Sequence, residues 1–340
     1  MGSWRDGPVQ SVSQKRAHPA RTLALWLSIG LWVVVAVSYW LRPDALAAIT
    51  AWPVWMWPVP GIGLALIGHT RNRRCAMLAV SALWLVWSML QAEEPRSLIR
   101  ALLWKGSQHI TVRDSVKLRV VSLNCTGGSL PAAEEVIACC PDIVLLQESP
   151  GKEEVKRLAR KLFGRDGKAV CGVDTSVLIG RAMQRISSPR ELSAFCTGAT
   201  ICVKADRKIG VFSVRLMPPA LRTDLWSFRC WSVYATDRRL RREQAMEIAR
   251  HLARLPSDLP IIVGGDMNVP AGDGSLGPLW PHLRDCFTEA GRGWGNTVLN
   301  DFPVLRFDQV WATRNIRVMS VTSRKTFHSD HRMVVCDLLL

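Results

Sequence analysis

Residues 261–268 read IIVGGDMN. The apolar run Leu259–Val263 leading into them has the composition of a buried strand. Gly264 and Gly265 let the backbone turn sharply and approach a neighbour closely. Asp266 and Asn268 are two residues apart, so continued strand geometry would project them to one side. A carboxylate and an amide offered together at the C-terminal end of a strand suit phosphate and metal chemistry. A strand ending in an ordinary D-x-N turn has the same residues, so the weight of this stretch depends on what else converges on it.

The chain has 340 residues, a formal charge of +16 and a pI near 10. Residues 1–92 contain eight Lys/Arg and two Asp/Glu, against 44 and 28 in the whole chain, so most of the basic excess lies beyond them. That balance favours an anionic partner: nucleic acid, a phosphorylated small molecule or lipid headgroups. Ten cysteines show no CxxC pair and no zinc-like spacing. Most sit in apolar runs, as Cys125, Cys202 and Cys336 do, where buried free thiols are expected. Neither a G-x-G-x-x-G fingerprint nor a P-loop is present.

Residues 1–21 form a basic arm with Arg5, Lys15, Arg16 and Arg21. Residues 22–92 read as a membrane anchor of three transmembrane helices. Thr22–Leu41 is uncharged and long enough to span a bilayer. Ala45–His69 is again uncharged but carries Pro53, Pro58 and Pro60, and Cys75–Ala92 supplies the third span. Nine of the fifteen tryptophans lie in residues 1–92, several near span ends, as in interfacial belts. Basic residues cluster in the arm and at Arg71, Arg73 and Arg74, which puts the N-terminus in the cytoplasm. Three spans then place the C-terminal domain on the extracytoplasmic side. Residues 93–115 are a polar linker of helical pattern, with Leu98, Leu102, Leu103 and Trp104 suited to the membrane surface.

From 116 to 340 strands outnumber helices. Apolar runs at Lys117–Asn124, Asp142–Glu148, Ala169–Val173, Ser176–Gly180, Thr200–Val203, Ile209–Leu216, Trp231–Tyr234, Phe307–Thr313, Ile316–Thr322 and Arg332–Leu340 read as strands. Ala132–Cys140, Glu153–Phe163 and the arginine-rich Asp237–Leu255 read as helices. The pattern predicts an α/β sandwich rather than a doubly wound sheet. Polar residues close or open the strands: Asn124, Glu148, Asp266 with Asn268, Asp308, and Asp330 with His331. A buried strand ending in Gln147-Glu148 is unusual, because a carboxylate there needs a cation or strong hydrogen bonds. Carboxylates, amides and one histidine are the parts that a hard divalent ion and phosphoester hydrolysis require.

LNC at 123–125, LLQE at 145–148, GGDMN at 264–268, RFDQVW at 306–311 and SDH at 329–331 stand in an order that resembles the endonuclease/exonuclease/phosphatase superfamily. The N-terminal arrangement resembles a membrane-anchored bacterial branch of it. The resemblance implies a four-layered, DNase-like α/β sandwich and Mg²⁺- or Mn²⁺-dependent phosphoester cleavage. By motif, Glu148 would bind the metal with Asn124 beside it and Asp330 in support. Asp266 would orient or deprotonate the attacking water, and Asn268 would bond the phosphate. His331, oriented by Asp308, would stabilise the developing charge. Arg215 stands where members of this superfamily commonly place a phosphate-contacting histidine. Arginine can hold a phosphate oxygen but cannot act as a general acid, which favours a substrate with a good leaving group. The expected activity is hydrolysis of a phosphorylated lipid or another envelope phosphoester or pyrophosphate. The alternatives are a membrane-tethered nuclease, with the basic helix on the phosphate backbone of DNA or RNA, and an inactive phospho-ligand-binding module.

Overall fold

A computed structural model describes residues 19–70, 73–104, 115–180, 183–185, 190–204 and 207–340. Residues 1–18 of the arm, Arg71, and residues 105–114 of the linker lie outside the described residues. The chain divides into two compact units, residues 1–36 with 55–90, and residues 37–54 with 91–340.

Helix Pro19–Leu41, whose last residues fall in the second unit, and helix Arg74–Gln91 of the first unit are long and apolar enough to cross a membrane. The second expected span is not a continuous helix. It is broken into Asp44–Thr50 and Val54–Ile67, bent by 68°. Pro53 follows the first piece, and proline, which lacks an N–H and restricts the residue before it, favours a break there. Two continuous helices long and apolar enough to span, with one bent pair between them, therefore stand where three continuous ones were expected. Within this unit Ser28 donates to the Gly61 carbonyl and Trp84 Nε1 donates to Ser28. A Cβ at Gly61 would lie 2.1 Å from the buried Trp84 ring, so glycine is what lets the two helices meet.

Among its described residues the second unit carries twelve strands: β1 (Lys117–Asn124), β2 (Ile143–Gln147), β3 (Lys168–Cys171), β4 (Thr175–Ile179), β5 (Met183–Arg185), β6 (Cys196–Lys204), β7 (Arg207–Arg215), β8 (Ile261–Asp266), β9 (Arg284–Asp285), β10 (Asp308–Ala312), β11 (Arg317–Arg324) and β12 (Met333–Leu339). One sheet runs β11-β12-β1-β2-β4-β3 and the other β5-β6-β7-β8-β10-β9. Alternate residues of β1, β2 and β4 (Val120, Leu145, Val177) face Val211, Ile262 and Val310 of the second sheet in a shared core. The opposite faces are covered by helices. Val144 and Leu146 pack on Val136, Val155 and Leu158, while Phe212 and Val263 pack on Ala245, Ile248 and Leu252. The order is helix, sheet, sheet, helix.

Trp231–Tyr234, read as a strand, is the start of a 25-residue helix, Phe228–Leu252. A four-residue apolar stretch has no resolvable period, and the helix continues through it. Arg229, Arg239 and Arg250 are exposed, but the other arginines of this helix are not a solvated basic face. Arg238 and Arg241 are buried, and Arg242 bonds Asp44 at 2.5 and 2.9 Å. Arg238 holds Asp273 at 2.7 Å, the carbonyls of Arg42 and Pro43, and the Thr50 hydroxyl. Ala47 and Ala48 pack with Cys230 and Tyr234. Residues 42–50 are thus part of this unit's structure. The helix Glu93–Leu102 of the linker also packs here, through Arg100 to the Gly291 carbonyl and Glu94 to Asn296.

Candidate active site

Two parallel strand pairs, β1–β2 and β7–β8, bring four C-terminal strand ends to one edge of the sandwich. Register does the rest. Asn124 lies opposite Gln147, Arg215 opposite Asp266, and Asp266 opposite Asp308. Gly265 makes that close packing possible. Its φ is +152°, and an added Cβ would fall 1.8 Å from the Val214 carbonyl oxygen. At Gly264 the obstacle is the facing sheet, with Leu145 Cδ1 2.6 Å from where a Cβ would be. Beyond the strand ends the backbone turns through left-handed conformations at Thr126, Glu148 and Asn268, with φ of 45°, 44° and 52°. Such strain in non-glycine residues persists only where surrounding contacts enforce it, and it gathers at functional sites.

The strand geometry stops at Asp266. The Asn268 N–H donates to Asp266 Oδ1 at 2.9 Å, which closes a turn, and Asn268 Nδ2 donates to the Leu216 carbonyl. The Asp266–Asn268 pair is therefore fixed by this turn rather than by alternation along a strand. Asn124 Nδ2 joins the two sheets, donating to Glu148 Oε1 at 3.1 Å and to Asp266 Oδ2 at 3.0 Å. His331 Nδ1 is 2.8 Å from Asp308 Oδ2 and both side chains are almost fully buried. Asp330 is exposed, its Oδ1 3.9 Å from His331 Nε2 and 2.5 Å from the Thr126 hydroxyl. All eight residues singled out from the sequence lie along this edge, linked by these bonds or by strand register.

Four contributors carried no role in the sequence reading. Gly127 donates its N–H to Glu148 Oε2, Ser329 donates to the Asn124 carbonyl, Thr297 accepts from the Asp308 N–H, and Asp174 holds Arg215. Ser329 stood inside a recognised motif. The others act through backbone groups or from a loop, and no spacing rule points to them.

Electrostatics follow from burial. Asp266 is pushed up to about 6, first by desolvation and then by the Asp308 charge. Burial opposes the charge on His331, but Asp308, Asp266 and Asp330 outweigh it and raise the imidazole to about 10. Glu148 is desolvated too, yet bonds from Gly127 and Asn124 and the Arg215 charge hold it below the usual range.

Among the described residues, Asp266, Asp308 and His331 form the one group whose ligand atoms lie within 4.8 Å of one another. Asp308 Oδ1 is buried with no hydrogen-bond partner. Two carboxylates, one oxygen of them unsatisfied, fit a hard divalent cation, and His331, protonated and bonded to Asp308, stands beside them without ligating. Glu148 lies across Asn124 from this group, with both oxygens already accepting hydrogen bonds.

Residues 122–331 match the sequence profile described as the Endonuclease/Exonuclease/phosphatase family. The chain belongs to this family, whose members are phosphoester hydrolases that use divalent metals. No curated protein sequence matches it. Among solved structures it is similar to an endonuclease/exonuclease/phosphatase family protein from Bacteroides thetaiotaomicron, at 15% identity over 66% of this chain and 98% of that one, with a TM-score of 0.50. It is also similar to an endonuclease/exonuclease/phosphatase from Beutenbergia cavernae, at 18% identity over 66% and 72%, with a TM-score of 0.49. The beta toxin of Staphylococcus aureus matches at 13% identity over 64% and 99%, with a TM-score of 0.48. At these identities the likeness concerns the fold.

Proposed function

We propose that this chain is a membrane-anchored, divalent-metal-dependent phosphoesterase that hydrolyses a phosphorylated lipid or another envelope phosphoester or pyrophosphate. One observation carries the choice of a membrane substrate. Ala47 and Ala51 line a small cavity with Arg238, Asp273 and Asn268, so the segment leaving the first apolar helix forms a wall beside the site. Ala47 is six residues beyond the end of that helix at Leu41, which bounds its distance from the helix end at roughly 20 Å. A phosphoester in the headgroup region lies within such reach.

Asp266 and Asp308 would hold the metal, with Asn124 and Glu148 adjoining, His331 beside them as the imidazolium that Asp308 orients, and Asp330 at the rim. A bound divalent ion neutralises phosphoryl charge and polarises water. Asp266, ionised, accepts the proton of the attacking water. His331, kept protonated by Asp308, faces the developing charge on the phosphoryl oxygens. Arg215 presents a guanidinium beside them, which steadies an anion but delivers no proton.

The same packing supports three crossings. Residues 42–50 and the domain from 91 onward interlock through Arg238 and Arg242, so both lie on one side of the membrane. The chain between them must then cross an even number of times, which residues 51–70, with Val54–Ile67 as their helical part, and the helix Arg74–Gln91 would supply. With basic residues flanking the cytoplasmic ends, that side is extracytoplasmic. For the nuclease alternative, the helix Phe228–Leu252 offers only Arg229, Arg239 and Arg250 on its exposed side, since Arg238, Arg241 and Arg242 are occupied within the domain.

The test is a panel of lipid pyrophosphate, lipid monophosphate, inositol phosphate, plasmid DNA and RNA, given to the detergent-solubilised full chain and to Asp266→Ala with Mg²⁺ or Mn²⁺. Turnover of a lipid phosphoester that Asp266→Ala abolishes is expected. Cleavage of nucleic acid alone would establish the nuclease instead.

A further inference from the structure

Both oxygens of Glu148 already accept hydrogen bonds. Its Oε1 accepts from Asn124 Nδ2 at 3.1 Å and from Arg215 Nη2 at 2.7 Å, and its Oε2 accepts from the Gly127 N–H. Any divalent ion drawn to this carboxylate meets a resident cation already bonded to it. Arg215 is itself held from the far side, with Nη1 2.7 Å from Asp174 Oδ2. Its Nε is buried without a partner, so the guanidinium is fixed by these two carboxylates rather than by a ring of bonds. Strand register sets it opposite Asp266, on the line that leads to Asp308.

We infer that Arg215 and Asp174 set the divalent-cation affinity of the Glu148 side of the site. Arg215 competes with the ion for Glu148, and Asp174, a positioning residue, draws its charge to the other side. This rests on the metal-dependent reading above and names two residues that tune it. The charges give an order. Around Glu148 the three side chains sum to one negative charge. Removing the arginine charge leaves two, and removing the aspartate charge leaves none. Nearby charges act on a bound cation with this sign whatever the details of packing. Affinity should therefore rise when Arg215 is neutralised and fall when Asp174 is neutralised.

The test is Mn²⁺ binding by the full chain in detergent, read from the electron paramagnetic resonance signal of free Mn²⁺. Arg215→Gln is expected to bind roughly tenfold more tightly than wild type and Asp174→Asn roughly tenfold more weakly, the scale of one neighbouring unit charge in a partly screened site. Arg215→Lys keeps the charge without the fork and should stay near wild type, which separates charge from shape. If Asp174→Asn does not fold, the Gln and Lys variants decide alone. Equal affinity in wild type, Arg215→Gln and Arg215→Lys would overturn the inference. If Glu148→Gln and Asp266→Asn still weaken binding in that case, the metal-dependent reading survives and only the role of Arg215 falls. Absence of Mn²⁺ binding in wild type and every variant would remove both.

Discussion

His331 keeps its proton because three carboxylates surround it, Asp308 at 2.8 Å foremost. Its folded value of about 10 lies above the ordinary 6.5, so the folded chain binds this proton more tightly than the unfolded one. The linked stability is complete below pH 6.5 and is lost as pH rises toward 10. Thermal unfolding in EDTA should show the melting temperature falling across that window, and His331→Gln should flatten the fall. Removing the acceptor also matters for rate. Asp308→Asn is expected to lower kcat by about 10²–10⁴ with little change in KM, the usual scale for a misoriented acid–base group. At this scale much was legible. Asp266, Glu148 and His331 stood out because each is a polar group ending or opening an apolar run. Asp174 did not, because it lies in a loop and acts only through Arg215.

The strand ends are where elements become a site, and Gly265 is the hinge between them. Gly265→Ala sets a Cβ 1.8 Å from the Val214 carbonyl oxygen, in the backbone ladder that brings Arg215 beside Asp266. A loss of about 3 kcal/mol or more is expected, together with loss of activity, measured by urea unfolding and turnover. Gly293→Ala, with φ of +74° but open space around it, should cost only about 1–2 kcal/mol. The strands were readable because each is a short apolar run bounded by turn residues. Trp231–Tyr234 was misread because four residues carry no period, and the helix that absorbs them is stabilised by tertiary contacts. The second expected span was misread as one continuous helix for a related reason. Hydropathy registers apolar composition, while the break at Pro53 and the burial of Ala47 against Tyr234 are set by backbone and packing.

Over the whole molecule, the loop after the first apolar helix is bound into the unit that carries the candidate site. Arg238 is 1% exposed and depends on Asp273, Thr50 and two carbonyls of that loop. Asp273→Ala leaves a buried charge uncompensated and should destabilise the domain by about 3–5 kcal/mol, seen as a lowered melting temperature. A fragment beginning at residue 91 uncovers Arg238 and Tyr234 and should melt below the full chain. A synthetic peptide of residues 37–54 should restore part of the difference. The linkage could not be read from sequence, since the partners lie nearly 200 residues apart.

The most direct test of the central claim is the rate of phosphate release from a lipid pyrophosphate in mixed micelles by the full chain with Mg²⁺. It is measured against the same protein in EDTA and against Asp266→Ala. Metal-dependent turnover that falls at least about 10³-fold in the variant is expected, the scale on which a base and its electrostatic setting act together. Release at equal rates with EDTA, or with Asp266→Ala, would contradict it.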